Sequence, residues 1–394
     1  MTHTITSDTE AIQAAKRLGA RFAEGDAQRD SDRELPYELM DELSESGLLA
    51  ITVPKEYGGA GVNARTLGEV FTELSAGDSS LGQIPQNHFF FVNVLAHSAS
   101  PGQLKFFYSE LLLGKRFANA LSERGTRTAK DYAIGFERQP DGWWLLDGTK
   151  YYCTGSPFAH WIPVYANDAD GRTHAAWVPA DHPGVTVIDD WNGMGQRTTG
   201  SGTVRFEAVN VPDQHIVSVS AIFEKTEIFG AFGQYLHACV DMGIAVAALR
   251  DGKRLIRTIA RPWWEAEVER ASDEPSVIEK FGELALAVRG ARALVHDAGD
   301  ALDAAAAHPL TEESSAEASV AVAAARAAAD AAALTVATEV FSLIGTRSAD
   351  HSLNLSRHWR NARTHTLHDP RRWKIRHIGD WELNDVTPPR NGII

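Results

Sequence analysis

The stretch GWWLLDGTKYYCTG, residues 142–155, decides how the rest of the chain is read. Its aromatic and aliphatic residues, punctuated by Asp-Gly and closed by Gly, have the texture of a β-strand rather than a helix. Four more runs of this kind follow: HWIPVYAND (160–168), THAAWVPA (173–180), GVTVIDDW (184–191) and SGTVRFEAVNVP (201–212). Before them, DTEAIQAAKRLGARFAEG (8–25) and LPYELMDELSESGLL (35–49) carry apolar residues at helical spacing, broken by the loop VPKEYGGAGV (53–62). The β texture begins near residue 116 and ends near Pro212, and helical patterns then continue to about residue 380. Thr311 ahead of Glu312 and Glu313 marks one helix start, with acids at the positive end of its dipole. The expected chain is an α+β multidomain protein: an N-terminal α-helical domain over 1–113, a small central β-barrel-like domain over 114–214, and a C-terminal helical bundle over 215–394.

Composition narrows the function classes. The chain of 394 residues is long enough for two or three domains with large cores. Its 44% hydrophobic and 23% charged residues are those of a globular protein. A net charge of −14 argues against nucleic acid and anionic membrane surfaces as partners. Cys153 and Cys239 are the two cysteines, which supports neither a disulfide framework nor a zinc site. The alanine-rich run 303–337 is interrupted by Glu312, Glu313, Glu317, Arg326 and Asp330, and alanine is only weakly apolar, so no membrane span is expected. The opening MTHTITSDTEAIQAAKRLGARF lacks the pattern of a secretory signal, and a cytoplasmic location is expected.

Five segments in order carry a family likeness: SSLGQIPQNHF (79–89), NALSERGT (119–126), GTKYYCTGS (148–156), DDWNGMGQRTTGSGTVRFEAVNVP (189–212) and WRNARTHTLHDP (359–370). On this domain pattern they resemble the acyl-CoA dehydrogenase superfamily over nearly the whole chain. The likeness is nearest to its flavin-dependent monooxygenase branch, that of dibenzothiophene monooxygenases and sulfur-acquisition oxidoreductases. The resemblance implies a C-terminal four-helix bundle, a flavin between the β domain and that bundle, and a homotetramer.

The candidate site residues follow from these segments. Ser122 keeps the hydroxyl of a turn that in the dehydrogenases reads Thr-Glu-Pro and binds the flavin ring; Arg124 replaces the proline. Without the resemblance it is a strand-end turn. Tyr152 and Thr154, two apart, share one face if the strand continues, which suits stacking on a flat ring and bonding its edge. An ordinary half-buried strand fits equally well, with Cys153 facing away and packing. Trp191 is either a loop anchor or, by the resemblance, a wall of the flavin pocket. In FSLIGTR (341–347), Ile344 and Arg347 stand where the family's FAD-binding segment has glycines. Both would crowd a dinucleotide, and an arginine there suits a terminal phosphate, so FMN is expected over FAD. Arg261, in ARPWW, matches a position that supplies phosphate contacts across a subunit interface, or is a solvated helix-end arginine.

In THTLHDP, His365 and His368 are three apart, hence on one face of a helix. They offer only two ligands with no second pair at suitable spacing, so no metal is expected. The resemblance makes His368 the functional histidine, able to exchange protons near neutrality and to partner a flavin C4a-(hydro)peroxide. His365 would support the flavin or the helix. His88, in QNHFFFVNV (86–94), reads as a core histidine by its apolar neighbours, and by the resemblance as one facing the substrate pocket. Asn119 would lie near the peroxide. The implied activity is a two-component monooxygenase that uses O2 and reduced FMN to oxygenate a small organosulfur compound. A separate NAD(P)H:flavin reductase would supply the flavin, because no Gly-x-Gly-x-x-Gly after a strand offers a nicotinamide site. The alternatives are an FAD-dependent acyl-CoA dehydrogenase, against which the missing Tyr-Glu-Gly-Thr segment counts, an amine N-hydroxylase of the same fold, and a non-catalytic flavin-binding protein.

Overall fold

A computed structural model describes residues 2–128 and 131–391. The N-terminal part is helical: α1 (Asp8–Ala23), α2 (Asp26–Asp32), α3 (Tyr37–Glu45), α4 (Ala64–Gly77), α5 (Ser79–Ser98) and α6 (Pro101–Leu112). Side chains start most of them. Ser7, Asn63 and Asp78 accept backbone N–H bonds at the heads of α1, α4 and α5. Ser100 and Gln103 form a capping box at α6, with Pro101 in its first turn.

The central strands are β1 (Gly135–Arg138), β2 (Trp143–Lys150), β3 (Trp161–Asn167), β4 (Thr173–Pro179), β5 (Val185–Ile188), β6 (Thr203–Pro212) and β7 (Ile216–Ser218). They make two antiparallel sheets, β1-β2-β6-β5 and β3-β4-β7. The barrel-like domain is thus two facing sheets, whose inner residues Leu146, Val204 and Phe206 pack with Ile162, Val164 and Val178. Because β7 pairs with β4, the sheet reaches past residue 214.

The C-terminal part is led by three long helices, α7 (Phe229–Thr258), α8 (Pro275–Ala306) and α9 (Glu312–Ile344). The shorter α10 (Ser356–His365) and α11 (Arg371–Asn384) pack on α9 and fill the fourth position of the bundle. Thr311 and Ser314 form the capping box expected at the head of α9. Arg326 of α9 pairs with Asp241 of α7, and Arg347 just past α9 bonds Ile259 just past α7. The two helices therefore run side by side in the same direction. Both α7 and α9 are long and apolar enough by composition to cross a membrane, but most of each apolar stretch is buried inside the bundle.

Buried ions tie the parts together. Arg29 pairs with Asp78 at 3.0 Å, and Arg357 of α10 reaches both Asp26 of α2 (2.9 Å) and Asp251 of α7 (2.6 Å). Asp30 of α2 takes Arg360 and the Asn354 amide, while its backbone carbonyl accepts from Arg197 of the β domain at 2.7 Å.

Candidate active site

One side of the site is the edge of the β domain. Ser122 bridges to Tyr151 across the end of β2, and its hydroxyl has no hydrogen bond among the described residues. The turn is held by Glu123, which accepts from the Ala133 and Ile134 N–H groups and from the buried Lys150 ammonium at 2.6 Å. Asn119 lies beside it, its Oδ1 accepting from Leu121 N–H at 3.0 Å and its amide reaching Tyr152 O at 3.4 Å.

The chain leaves the strand here, which corrects the expectation of a shared strand face. β2 ends at Lys150, and Tyr152 takes a left-handed backbone conformation (φ 56°) that breaks the period of two. Tyr152 turns outward, 54% exposed, edge-on to Trp191 with centroids 6.2 Å apart. Thr154 turns inward instead, and its hydroxyl joins a buried chain through Ser201 to Thr199, each link 2.7 Å. Because Thr199 donates to Gln196 O, the Thr154 proton is committed to Ser201 within the protein. Cys153 is fully buried and packs, as expected. Trp191 is anchored, its indole N–H donating to Gln196 O at 2.8 Å, yet it stays half-exposed beside Tyr152.

The other side is α10 and its exit. The Trp191 loop docks on α10 through Gln196 N–H to Asn361 Oδ1 at 2.6 Å. His365 lies one helical turn further on. It is fully buried, with Nδ1 at 2.6 Å from Asp241 and Nε2 at 3.0 Å from His237 Nδ1. Both ring nitrogens are thus engaged by protein groups, and the expected flavin contact through them has no free atom to make it. His368 is exposed, and its Nδ1 bonds the His365 carbonyl at 2.6 Å. The three rings form a cluster with centroids 4.8–5.0 Å apart.

His237, Asp241 and Arg326 were missed by sequence reasoning. The available signal was two polar residues four apart on the otherwise apolar α7, hence on one face. His237 gives the cluster a third ring, with one nitrogen of each within 4.8 Å of the others. The donor set still suits protons better than a dication: His365 has both nitrogens committed, and the Arg326 guanidinium stands beside Asp241. Burial, then the neighbouring His368 and Arg326, hold His237 and His365 well below the usual histidine range. His368 is open to solvent but walled by protein, and that crowding with Arg326 lowers it too, against the opposing bond to the His365 carbonyl.

His88 corrects the pocket expectation. It is buried in the core, with Nε2 2.8 Å from Leu49 O and Nδ1 accepting from Phe117 N–H at 3.1 Å. Burial pushes its pKa down to about 4. It is a neutral, satisfied core histidine.

Arg261 is exposed and makes no ion pair among the described residues, and Arg347 donates to Ile259 O at 2.9 Å. The two arginines share one corner of the chain. An open groove of about 1040 Å³ lies elsewhere, lined by Phe106, Trp143, His174 and Asp213 among others, and it contains none of the candidate residues.

An aromatic pair and an unbonded hydroxyl thus stand at the edge of the β domain, and the loop that carries Trp191 docks on the helix that leads into the histidine cluster. Three family profiles match in order: acyl-CoA dehydrogenase N-terminal domain (7–115), middle domain (118–209) and C-terminal domain (235–371). A dibenzothiophene monooxygenase of Rhodococcus qingshengii is 31% identical over 97% of this chain and 95% of its own length. The chain belongs to the acyl-CoA dehydrogenase family. Within that family it is also similar to a probable FMNH2-dependent monooxygenase, SfnC, of Pseudomonas putida, at 30% identity over 97% of each chain. The crystal structure of FMN-bound TdsC from Paenibacillus sp. A11-2 superposes with a TM-score of 0.92 at 29% identity, covering 98% of this chain and 100% of the other.

Proposed function

We propose that this chain is a two-component flavin-dependent monooxygenase that oxygenates a small organosulfur compound in the cytoplasm. It would take reduced FMN from a separate NAD(P)H:flavin reductase. The observation that carries the reading is the exposed His368 at the exit of α10, the helix on which the Trp191 loop docks, in a chain similar end to end to a probable FMNH2-dependent monooxygenase. The residues fit a flavin: of the perpendicular pair Tyr152 and Trp191, one ring can offer its face to a flat cofactor and the other its edge, and Ser122 and Asn119 offer polar groups nearby. When bound, reduced FMN supplies the electrons that let dioxygen give one atom to the substrate and the other to water.

The protein's share is binding, orientation and proton handling. His368 has Nδ1 committed to a carbonyl, which leaves Nε2 as the atom that holds or moves a proton. The phosphate end calls for a second copy. From His237 to the end of α7, and from Arg326 to the end of α9, is roughly 30 Å at 1.5 Å per residue. Arg261 and Arg347 therefore stand too far from their own histidine cluster to reach the phosphate of an FMN bound there. They would serve a neighbouring protomer's flavin, in a homotetramer of dihedral symmetry.

The test is anaerobic loading with reduced FMN, then addition of ¹⁸O2 with dibenzothiophene or an alkanesulfinate. The expected result is one labelled oxygen in the oxidised sulfur product. Unlabelled product, or flavin oxidation without any oxygenated sulfur compound across such substrates, refutes the reading.

A further inference from the structure

We propose that Asp241, His365 and His237 form a proton relay of fixed direction, which presents His237 Nε2 as a second proton-accepting atom beside His368. The proposal deepens the monooxygenase reading but is carried by a geometry that needs no flavin. Asp241 and His365 are completely buried, and the Asp241 carboxylate is shared: one oxygen faces Arg326, the other His365 Nδ1 at 2.6 Å. A carboxylate only accepts, so His365 carries its proton on Nδ1. Burial keeps His365 neutral, which leaves Nε2 bare. The next partner, His237 Nδ1 at 3.0 Å, must then be the donor. A neutral His237 with its proton on Nδ1 has a bare Nε2, and this ring is half-buried, at the point where the chain of bonds leaves the core.

The direction is thus fixed from the inside out. A proton arriving on His237 Nε2 forms one N–H bond there. The Nδ1 proton passes to His365 Nε2, and the His365 Nδ1 proton stays on its bond to Asp241. Positive charge then rests on His365, against the carboxylate, and no heavy atom has moved. Burial sets the balance, and His368, Arg326 and Lys374, all facing the pair, add to it, so the resting rings stay neutral and can accept although Asp241 lies against them. His237 and Asp241 are positioning residues for proton traffic beside His368, acting with it and not in its place.

Asp241→Asn tests the direction. Its amide oxygen should turn to Arg326, because an NH2 group there would face a guanidinium, and the NH2 would then donate to His365 Nδ1. That moves the His365 proton to Nε2, reverses the bond to His237, and turns the outward atom from acceptor to donor. Neutron diffraction of flavin-free crystals reads this directly. The wild type should show deuterium on Nδ1 of both His365 and His237 and none on His237 Nε2, and the variant should show it on Nε2 of both rings. Deuterium on His237 Nε2 in the wild type, or unchanged positions in the variant, overturns the relay. Should Asp241→Asn not fold, His237→Gln at the edge of the core serves. It should lower product per oxygen consumed by about 10²-fold, the low end for losing an acid–base group, with FMN affinity kept within about threefold. Wild-type coupling in that variant also overturns the relay. The deuterium map does not depend on turnover, so an enzyme that oxygenates nothing can still carry the relay, and a failed relay leaves the oxygenation experiment untouched.

Discussion

Co-expressing two defective chains, one with His368→Ala and one with Arg347→Ala, should restore oxygenation that neither has alone. The reasoning is geometric. Arg347 and the histidine cluster stand roughly 30 Å apart in one protomer, at the helical rise of 1.5 Å per residue along α9. A complete site therefore takes its histidine from one chain and its arginine from another. Alone, the His368→Ala enzyme should lose about 10²–10⁴-fold in product formation, the range for a missing acid–base group. Alone, the Arg347→Ala enzyme should bind FMN about 1.5–3 kcal/mol more weakly, roughly ten- to a hundredfold, so its sites stay empty at limiting FMN. With the two chains mixed equally and at random, a site has one chance in two of an intact His368 and one in two of an intact Arg347. About a quarter of the sites should then be whole, in an oligomer whose copies are equivalent. The assay is product formation at limiting reduced FMN, with differently tagged chains purified as mixed oligomers. Activity no higher than the mean of the two pure variants would refute the shared site, as would tight FMN binding by a monomer.

Other consequences are as direct. A β-carbon at Gly195 would lie 2.0 Å from Arg360 O and 2.2 Å from its carbonyl carbon; Gly195→Ala should lift the Trp191 loop off α10, lowering stability by about 1–3 kcal/mol in urea unfolding and weakening FMN binding. Glu123→Ala leaves the Lys150 ammonium buried without its partner and should cost about 3–5 kcal/mol by the same measurement, most of it recovered when Lys150→Met is added. His88 titrates near 4 in the folded protein and near 6.5 when unfolded. Below pH 6.5 the unfolded chain therefore binds a proton that the folded one does not. Stability should be full above that pH and fall on acidification towards 4 by about 1.4 kcal/mol per unit from this residue, a slope that His88→Gln removes.

Texture and motif order were legible in the sequence because they are local. Strand-like runs flanked by helical spacing gave the three-part order, and Thr311 gave the start of α9. Motif matching brought Ser122, Asn119, Tyr152 and Trp191 to one edge. What failed depended on conformation or on distant partners. Alternation puts Tyr152 and Thr154 on one side only while the strand lasts, and a left-handed residue at 152 ends it. The apolar neighbours of His88 pointed to the core, where it lies, while the resemblance pointed to the pocket; its partners Leu49 and Phe117 are far off in sequence. His365 and His368 were read as a pair because they are neighbours in the chain. Their third member, His237, lies 128 positions before His365, and only the packing of α7 against α10 brings it there.

The knot at Asp30 has a consequence for ancestry. This carboxylate sits on the second helix of the chain, yet its cations and amide come from residues 354 and 360, and its own carbonyl holds Arg197 of the β domain. A fragment ending before α10 would leave Asp30 without its counter-charge, and a fragment starting after α2 would leave Arg360 without its acid. Chimaeras that join the N-terminal part of one relative to the bundle of another should inherit the same difficulty unless both ends of the knot travel together. Drift in this lineage is therefore expected to proceed by paired replacement at 30 and 360, and recombination to succeed with whole chains more readily than with single parts.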